Sequence, residues 1–238
     1  MTGPVYVYGI ARAGLPVEGR GVLDGTVTTV ESGPLAAIVS GVAKTDVRAK
    51  RRDLLLHSDV LQRAFADGPV VPLRFGTVFA SVGELEQHLL EQRRPQLASL
   101  LDRFEGLGEL RLRASYHDEE AVLTELVRGN PAIARLRGRS DQASLLQLGE
   151  TVAAAYAARR DADAAAIVAR LSEHGNETRV DAPTAELEVV RASFLVPKND
   201  TKSFDEALES LALSLRHLID FTCTGPMPPH SFVELEGA

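Results

Sequence analysis

The second half of the chain changes its hydrophobic period in an order that few folds share. Leu110 to Tyr116 alternate apolar and polar side chains, which is the period of a strand, and the alanine-rich stretch from about Asp141 to His174 is helical. Two extended segments near 186–196, a helix over 204–217 and a strand over 219–224 follow. In chain order these elements read β-α-β-β-α-β, so we expect a ferredoxin-like, split βαβ domain with a long helical segment.

Residue spacing predicts three local features of this half. The two middle strands are expected to pair as Glu186 to Val190 with Arg191 to Val196. A capping box, Ser203-x-x-Glu206, is expected at the start of the helix that follows them. The apolar stripe of the long helix is interrupted by Arg159 and Asp163, so we expect that helix to bend or project there.

The first hundred residues mix strands and helices in another way. Val5 to Ile10 predicts a strand, and Thr26 to Val30 with Leu35 to Val39 predicts a hairpin. From Arg52 to Ala66 the period is helical. The apolar face of that helix comprises Leu54, Val60, Leu61, Ala64 and Phe65. His57 lies on the same face, and we expect a core or interface histidine with one satisfied ring nitrogen.

Two glycines at the end of Glu105-Gly-Leu-Gly108 mark the boundary between the halves, because they separate a helix from an alternating strand. We therefore predict an α+β protein of two domains. Residues 1–105 form an N-terminal mixed α/β domain, and residues 109–238 form the C-terminal ferredoxin-like domain. Within the first domain, Ser81-x-x-Glu84 predicts a helix start, and Pro95 is expected to kink or restart that helix.

The segment Pro69 to Phe79 is apolar and bounded by prolines, so it is a candidate for an edge strand. Arg74 stands between Leu73 and Phe75, where a buried guanidinium would need a partner. An internal ion pair or loop-fixing hydrogen bond and a contact with a partner molecule or ligand both satisfy that need.

The closing segment from Thr224 to Phe232 has three prolines within four residues. They pre-order a turn and allow a cis X-Pro bond. The plain structural interpretation is a rigid connector that holds a C-terminal strand, Ser231 to Leu235, against the sheet.

Composition and motifs exclude several classes of protein. The formal charge of −7, from 26 Lys plus Arg against 33 Asp plus Glu, argues against general nucleic-acid binding. The single cysteine, Cys223, excludes an intramolecular disulfide and is expected to be a small buried apolar side chain. No apolar run approaches ~18 residues, and no nucleophile, phosphate-loop or metal-ligand spacing occurs. We therefore predict a soluble, cytoplasmic protein with no catalytic residues, cofactor or metal, and with neither nucleic acid nor membrane as a partner.

Four segments together resemble the gas-vesicle protein F/L family over nearly the whole chain. They are Val5-Tyr-Val-Tyr-Gly-Ile10, His57 followed by Val60-Leu61, the block Val71-Pro-Leu-Arg-Phe-Gly-Thr-Val-Phe79 with Glu84 after it, and Gly225-Pro-Met-Pro-Pro-His-Ser-Phe-Val233. The closing signature departs from the family pattern at two positions. The family usually has Trp where this chain has Met227 and Tyr where it has His230.

The resemblance implies an accessory protein of gas vesicle assembly and not an enzyme. Such a protein is located at the gas vesicle as a minor component, binds the major shell protein, and limits its aggregation during nucleation. Other gas vesicle accessory proteins are further partners. Capture by strand addition at a sheet edge and capture in an apolar groove are both compatible with the sequence. The candidate partner-binding residues are Arg74, Phe75, Pro226, Met227, Pro228, Pro229 and His230.

Two other interpretations remain open at this level. One is a ferredoxin-like small-molecule-binding protein or enzyme, with a pocket near His57, Arg74 and His230. The other is a scaffold that self-associates, or recruits several accessory proteins, through the interrupted long helix.

Overall fold

The computed structural model describes residues 3–235, which separate into two compact units. The first unit contains residues 3–109, 197–199 and 225–235, and the second contains 110–196 and 200–224. Each unit has its own sheet and its own cluster of buried apolar side chains. The predicted domains, 1–105 and 109–238, differ from these units mainly at the closing residues, which pack with the first unit although they follow the second in sequence.

The first unit is a mixed arrangement of strands and helices. Its strands are β1 (Val5–Arg12), β2 (Gly19–Arg20), β3 (Thr26–Ser32), β4 (Leu35–Gly41), β5 (Val70–Pro72) and β6 (Val78–Phe79). Its helices are α1 (Arg51–Asp67), α2 (Val82–Leu85) and α3 (Arg94–Arg103). Short 3₁₀ turns lie at Val22–Asp24 and His230–Phe232, and a π-helical turn lies at Glu86–Glu91.

Within the described residues, these six strands form one sheet in the order β2-β3-β4-β1-β5, with β6 also paired to β1. The predicted hairpin is confirmed, since β3 and β4 pair antiparallel with Ser32 opposite Leu35. Gly33 turns the chain there at a φ of +60°, which glycine adopts without steric cost. Strand β1 is buried from Val5 to Ala11, which explains why its sequence is a continuous apolar run.

Helix α1 buries most of the face that its spacing predicts. His57, Val60, Leu61, Ala64 and Phe65 are all buried. Leu54 was expected on this face, but its side chain is 43% exposed and Asp53 is buried in its place. The burial of Asp53 is possible because its Oδ1 accepts a hydrogen bond from the Leu23 N–H at 3.2 Å.

The helical stretch after β6 begins and restarts as predicted. The Glu84 N–H donates to Oγ of Ser81 at 3.2 Å, and the Glu84 carboxylate accepts from the Ala80 N–H at 2.7 Å. These bonds satisfy donors at the helix N-terminus. Pro95 lies in the first turn of α3, where its missing N–H costs nothing.

The second unit has four strands and four helices within the described residues. Its strands are β7 (Leu107–Tyr116), β8 (Glu177–Asp181), β9 (Glu188–Pro197) and β10 (Ile219–Met227). The first residues of β7 and the last residues of β9 and β10 belong to the first unit. Its helices are α4 (Glu119–Gly129), α5 (Pro131–Leu136), α6 (Gln142–Ser172) and α7 (Lys202–Leu215). The sheet order is β10-β7-β9-β8, which is the fourth, first, third and second of these strands. This order confirms the predicted ferredoxin-like topology and the α+β class.

The predicted pairing of Glu186 to Val190 with Arg191 to Val196 is wrong. Residues 188–197 form the single strand β9, whose antiparallel partner is β8, with Glu177 opposite Leu195. Strand β8 lies at the sheet edge, and its sequence is polar except for the exposed Val180. A strand of that kind carries no apolar alternation that a sequence can reveal.

The predicted capping box at Ser203 is also wrong. Helix α7 begins at Lys202, so Ser203 lies inside its first turn, and Thr201 is the residue before the helix. The Thr201 hydroxyl donates to Oδ2 of Asp205 at 2.7 Å, which closes the first turn through side chains.

Helix α6 is continuous from Gln142 to Ser172. The polar residues that interrupt its apolar stripe form side-chain contacts within the second unit. Arg159 Nε donates to the Asp163 carboxylate at 2.8 Å, and the Tyr116 hydroxyl donates to the same carboxylate at 2.9 Å. Arg159 also lies 3.3 Å from the Glu125 carboxylate. Burial, followed by the bond to Asp163, raises the pKa of Tyr116 well above its ordinary range, so its hydroxyl stays a donor.

This contact generates a stability prediction. Asp163→Ala removes the acceptor of both Tyr116 and Arg159, so we expect the free energy of unfolding to fall by about 1–3 kcal/mol. Asp161→Ala is the matched control, because that carboxylate is 78% exposed and lies 3.9 Å from Arg160. Urea unfolding should leave the control within about 0.5 kcal/mol of wild type. Equal losses in the two variants would contradict a structural role for the Asp163 contact.

Candidate functional site

A cleft of about 600 Å³ opens on the first unit between the loop after β5, the helical segment around residues 88–93 and the closing residues of the chain. Its apolar wall includes Leu73, Val78, Phe79, Leu89, Val233 and Leu235. A cavity of this size suits a few side chains or a small ligand. The block around Arg74 and the closing signature therefore meet at one place, although about 150 residues separate them in sequence.

Every ionisable side chain among the described residues that line this cleft is basic. The four are Arg74, His88, Arg93 and His230, and no Asp or Glu occurs among the described lining residues. The chain as a whole has a formal charge of −7, so the cleft differs in sign from the average of the molecule. The two arginines among these four side chains carry positive charge, which favours an anionic group in the cleft.

A buried hydrogen-bond chain positions the loop that forms one side of the cleft. The Tyr6 hydroxyl lies 2.8 Å from Nδ1 of His57 and accepts the Gly76 N–H at 3.2 Å. His57 also bonds to the Leu73 backbone. Because the Leu73 N–H already donates to the Tyr8 carbonyl at 2.9 Å, the His57 ring donates to the Leu73 carbonyl. Tyr6 and His57 thus hold the loop at Leu73 and at Gly76.

His57 is a core histidine, as expected, and both of its ring nitrogens are satisfied. It is 6% exposed and lies among the rings of Tyr6, Tyr8 and Phe75 at centroid distances of 5.5 to 5.8 Å. Burial, followed by repulsion from His230, lowers the pKa of His57 to about 4. The ring is therefore neutral near pH 7, which allows it to accept from Tyr6 while it donates to Leu73.

Arg74 is exposed, so neither the internal ion pair nor the loop-fixing hydrogen bond considered for its guanidinium occurs among the described residues, and a contact with a partner molecule or ligand stays a prediction. Its carbonyl accepts from the Thr77 N–H at 3.3 Å and from the Thr77 hydroxyl at 2.8 Å. Within residues 3–235, its guanidinium makes no hydrogen bond or ion pair. Leu73 before it is buried and Phe75 after it packs into the aromatic cluster, so the backbone is fixed while the Arg74 side chain remains in solvent.

A second anchor holds the closing segment on the first unit. The Glu109 carboxylate is fully buried and accepts the Ser231 N–H at 2.8 Å and the Ser231 hydroxyl at 2.7 Å. Phe232 is fully buried, and the Gly225–Pro226 peptide is cis. The expected strand over 231–235 is wrong, because residues 230–232 form a 3₁₀ turn and the Ser231 N–H bonds to a side chain instead of a sheet.

The structure separates the candidate residues into cleft walls and supports. Arg74 and His230 line the cleft. Phe75 packs behind it, with its ring 5.8 Å from Tyr6. Pro228 and Pro229 are buried, while Pro226 and Met227 are half-buried, and the Pro226 carbonyl accepts from Gln62 Nε2 at 3.2 Å. Sequence reasoning missed His88, Arg93 and Glu109, since isolated polar residues on a helix or strand have no spacing that marks them.

Other chemical features add little to this site. Within residues 3–235, no group of three or more His, Cys, Asp or Glu side chains is placed to hold a metal ion. No helix in the described part of the chain has the length and apolarity required to span a membrane. Cys223 lies in the second unit, half-buried against its core, and burial raises the pKa of its thiol to about 11. It is therefore a weak nucleophile at neutral pH.

The buried imidazole generates a prediction about pH. Since the pKa of His57 falls from 6.5 in the unfolded chain to about 4 in the folded one, the unfolded chain binds the extra proton between these values. Acidification from pH 6.5 to 4 should therefore destabilise the wild type by up to roughly 3 kcal/mol through His57 alone. His57→Asn should be less stable at pH 7 but lose less stability over that interval. Urea unfolding from pH 7 to 4 tests this, and parallel profiles for the two proteins would contradict it.

The hydrogen bonds between Ser231 and Glu109 generate a prediction about stability. Ser231→Ala removes the hydroxyl bond to a fully buried carboxylate, so we expect a loss of about 1–3 kcal/mol in thermal or urea unfolding. Ser58→Ala, at an exposed position of α1, is the control and should change stability by less than about 0.5 kcal/mol. Similar stability of the two variants would show that the anchor contributes nothing.

Known proteins resemble this chain along nearly its whole length. Residues 4–234 match the family described as "Gas vesicle synthesis protein GvpL/GvpF". The chain is 38% identical to Gas vesicle protein F of Streptomyces sp. (strain CB03234), over 96% of this chain and 99% of that protein. It is 25% identical to Gas vesicle protein L2 of Halobacterium salinarum, over 90% of this chain and 84% of that protein.

The fold is also similar to that of a solved structure. The crystal structure of the gas vesicle protein GvpF from Anabaena sp. PCC7120 is similar with a TM-score of 0.87 at 20% sequence identity, covering 98% of this chain and 97% of that one. These matches confirm the resemblance that the sequence motifs indicate. The chain belongs to the GvpL/GvpF family of gas vesicle synthesis proteins.

Proposed function

We propose that this protein is an accessory factor of gas vesicle assembly that binds the major shell protein and limits its aggregation during nucleation. Membership of the GvpL/GvpF family supports a role connected with gas vesicles, and the family is not a known enzyme family. We further propose that the protein acts at the gas vesicle as a minor component, together with other accessory proteins.

The observation that carries the proposal is the meeting of two motifs at one cleft. The block around Arg74 and the closing segment around His230 both form parts of its wall, together with apolar side chains. A concave surface that combines apolar area with a few polar groups is the usual form of a binding site. Each wall also has its own buried anchor, at His57 and at Glu109.

Of the two capture modes, the groove has more support than strand addition. Strand β5 stands at the end of the sheet order, as expected for a proline-bounded segment. It is only three residues long, its residues are all buried, and Pro72 has no N–H to donate. A partner strand would gain few backbone hydrogen bonds there, whereas the adjacent cleft offers apolar and charged contacts.

The alternative of a small-molecule pocket near His57, Arg74 and His230 has less support. Arg74 and His230 do line one cleft, but His57 lies behind it with both ring nitrogens bonded inside the protein. A general base must reach its substrate with a free nitrogen, so His57 is better explained as a positioning residue.

Physical chemistry supplies a reason for such a partner. A shell protein whose assembled form turns an apolar face toward gas exposes that face before assembly, and exposed apolar surfaces aggregate. An accessory protein with a formal charge of −7 could cover that face and repel other copies of the complex.

Co-expression with the major shell protein tests this function. We expect the shell protein to move into the soluble fraction and to co-purify with the accessory protein, which it should not do with an unrelated acidic protein of similar size. His230→Ala should reduce the recovered shell protein several-fold, because it removes a side chain that lines the cleft and leaves Ser231 and Glu109 unchanged. A shell protein that stays insoluble with wild type would contradict the proposal.

A further inference from the structure

We infer that the cleft of the first unit binds an extended protein segment that carries a carboxylate beside apolar side chains. The inference deepens the proposed function, on which it rests for the identity of the partner. The chemistry of the segment follows from the cleft itself.

The charge of the cleft selects the carboxylate. The four ionisable groups among its described lining residues are all basic, and Arg74 is exposed with no partner for its guanidinium within residues 3–235. A guanidinium presents a planar set of donors that matches a carboxylate in a two-bond geometry. His88 and His230 are basic residues on the same walls.

The loop holds Arg74 in place before any partner arrives. Its carbonyl is fixed by the two bonds from Thr77, and the residues on either side are fixed through Tyr6 and His57. Ordering a loop on binding costs free energy, so a loop already ordered favours affinity.

The dimensions of the cleft select an extended segment. A volume of about 600 Å³ holds little more than one turn of a helix, which with side chains is about 10–12 Å wide and rises about 5.4 Å per turn. Buried Leu73 and Leu89, with half-buried Val78 and Phe79, offer an apolar surface next to the basic groups. One or two apolar side chains of a strand-like peptide would fit against it.

The closing residues of the chain already show this chemistry. Val233 and Leu235 line the cleft, and Glu234 between them makes the sequence alternate between apolar and acidic. Val233 has extended backbone angles, and the Glu234 carbonyl accepts from Gln96 Nε2 at 3.1 Å. Two apolar side chains on either side of an acidic residue thus already form part of this wall, and a partner segment of the same kind would lie beside them.

Peptide titration tests the inference. The probe is a fluorescein-labelled hexapeptide of alternating leucine and glutamate, and the matched control peptide carries glutamine in place of glutamate. Fluorescence anisotropy should show the acidic peptide binding roughly tenfold more tightly than the neutral one, with weaker binding at high salt. Arg74→Ala should lose about tenfold in affinity for the acidic peptide. Arg48→Ala, which changes an exposed arginine outside the cleft, should bind like wild type.

The outcomes separate this inference from the proposed function. Equal binding of the two peptides, or an unchanged affinity of Arg74→Ala, would overturn the acidic-segment site. If Arg74→Ala loses the peptide yet still co-purifies with the shell protein at the wild-type level, the shell protein uses another surface, and the inference about its segment fails while the proposed function stands. If the peptide binds as expected but the wild type does not co-purify with the shell protein, the function fails and the chemistry of the cleft stands.

Discussion

The hydrogen bond between Tyr6 and His57 is the contact on which the geometry of the candidate site depends. It joins the central strand β1 to helix α1, 51 residues apart, in a position with almost no access to water. A neutral imidazole has one donor and one acceptor, so His57 satisfies Tyr6 and the Leu73 carbonyl at the same time. An apolar side chain in its place would leave the Tyr6 hydroxyl proton and the Leu73 carbonyl without the partner that His57 provides, which costs more than the lost bonds themselves. The loop that presents Arg74 therefore has its position determined from inside the core.

The part of the cleft wall around His230 depends on a contact between residues even farther apart in sequence. Ser231 gives two hydrogen bonds to the buried carboxylate of Glu109, 122 positions earlier in the chain. The closing residues thus become part of the first unit, although the second unit lies between them in sequence. The two anchors place basic side chains from separate parts of the chain around one apolar surface. This combination of charge and apolar area makes the cleft suitable for an acidic and apolar protein segment.

Success and failure of the sequence-based predictions follow the range of the interactions involved. The β3–β4 hairpin, the capping box at Ser81 and the β-α-β-β-α-β order depend on neighbouring residues or on simple periodicity, and they are confirmed. Strand β8 was missed because an exposed edge strand needs no apolar alternation. The buried face of α1 includes Asp53 and not Leu54, because the N–H of Leu23, which is remote in sequence, donates a hydrogen bond to the Asp53 carboxylate.

The sequence by itself determined the α+β class, the ferredoxin-like order of the second half and membership of the family, because period, turn residues and motifs are local properties of the chain. It also marked Arg74 and His230 as unusual. Only the tertiary structure decided that Arg74 is exposed, that His57 is sealed behind it with both nitrogens bonded, and that His230 shares its cleft. These facts depend on contacts between groups that are about 50 to 150 residues apart in sequence, and no local sequence pattern predicts such contacts.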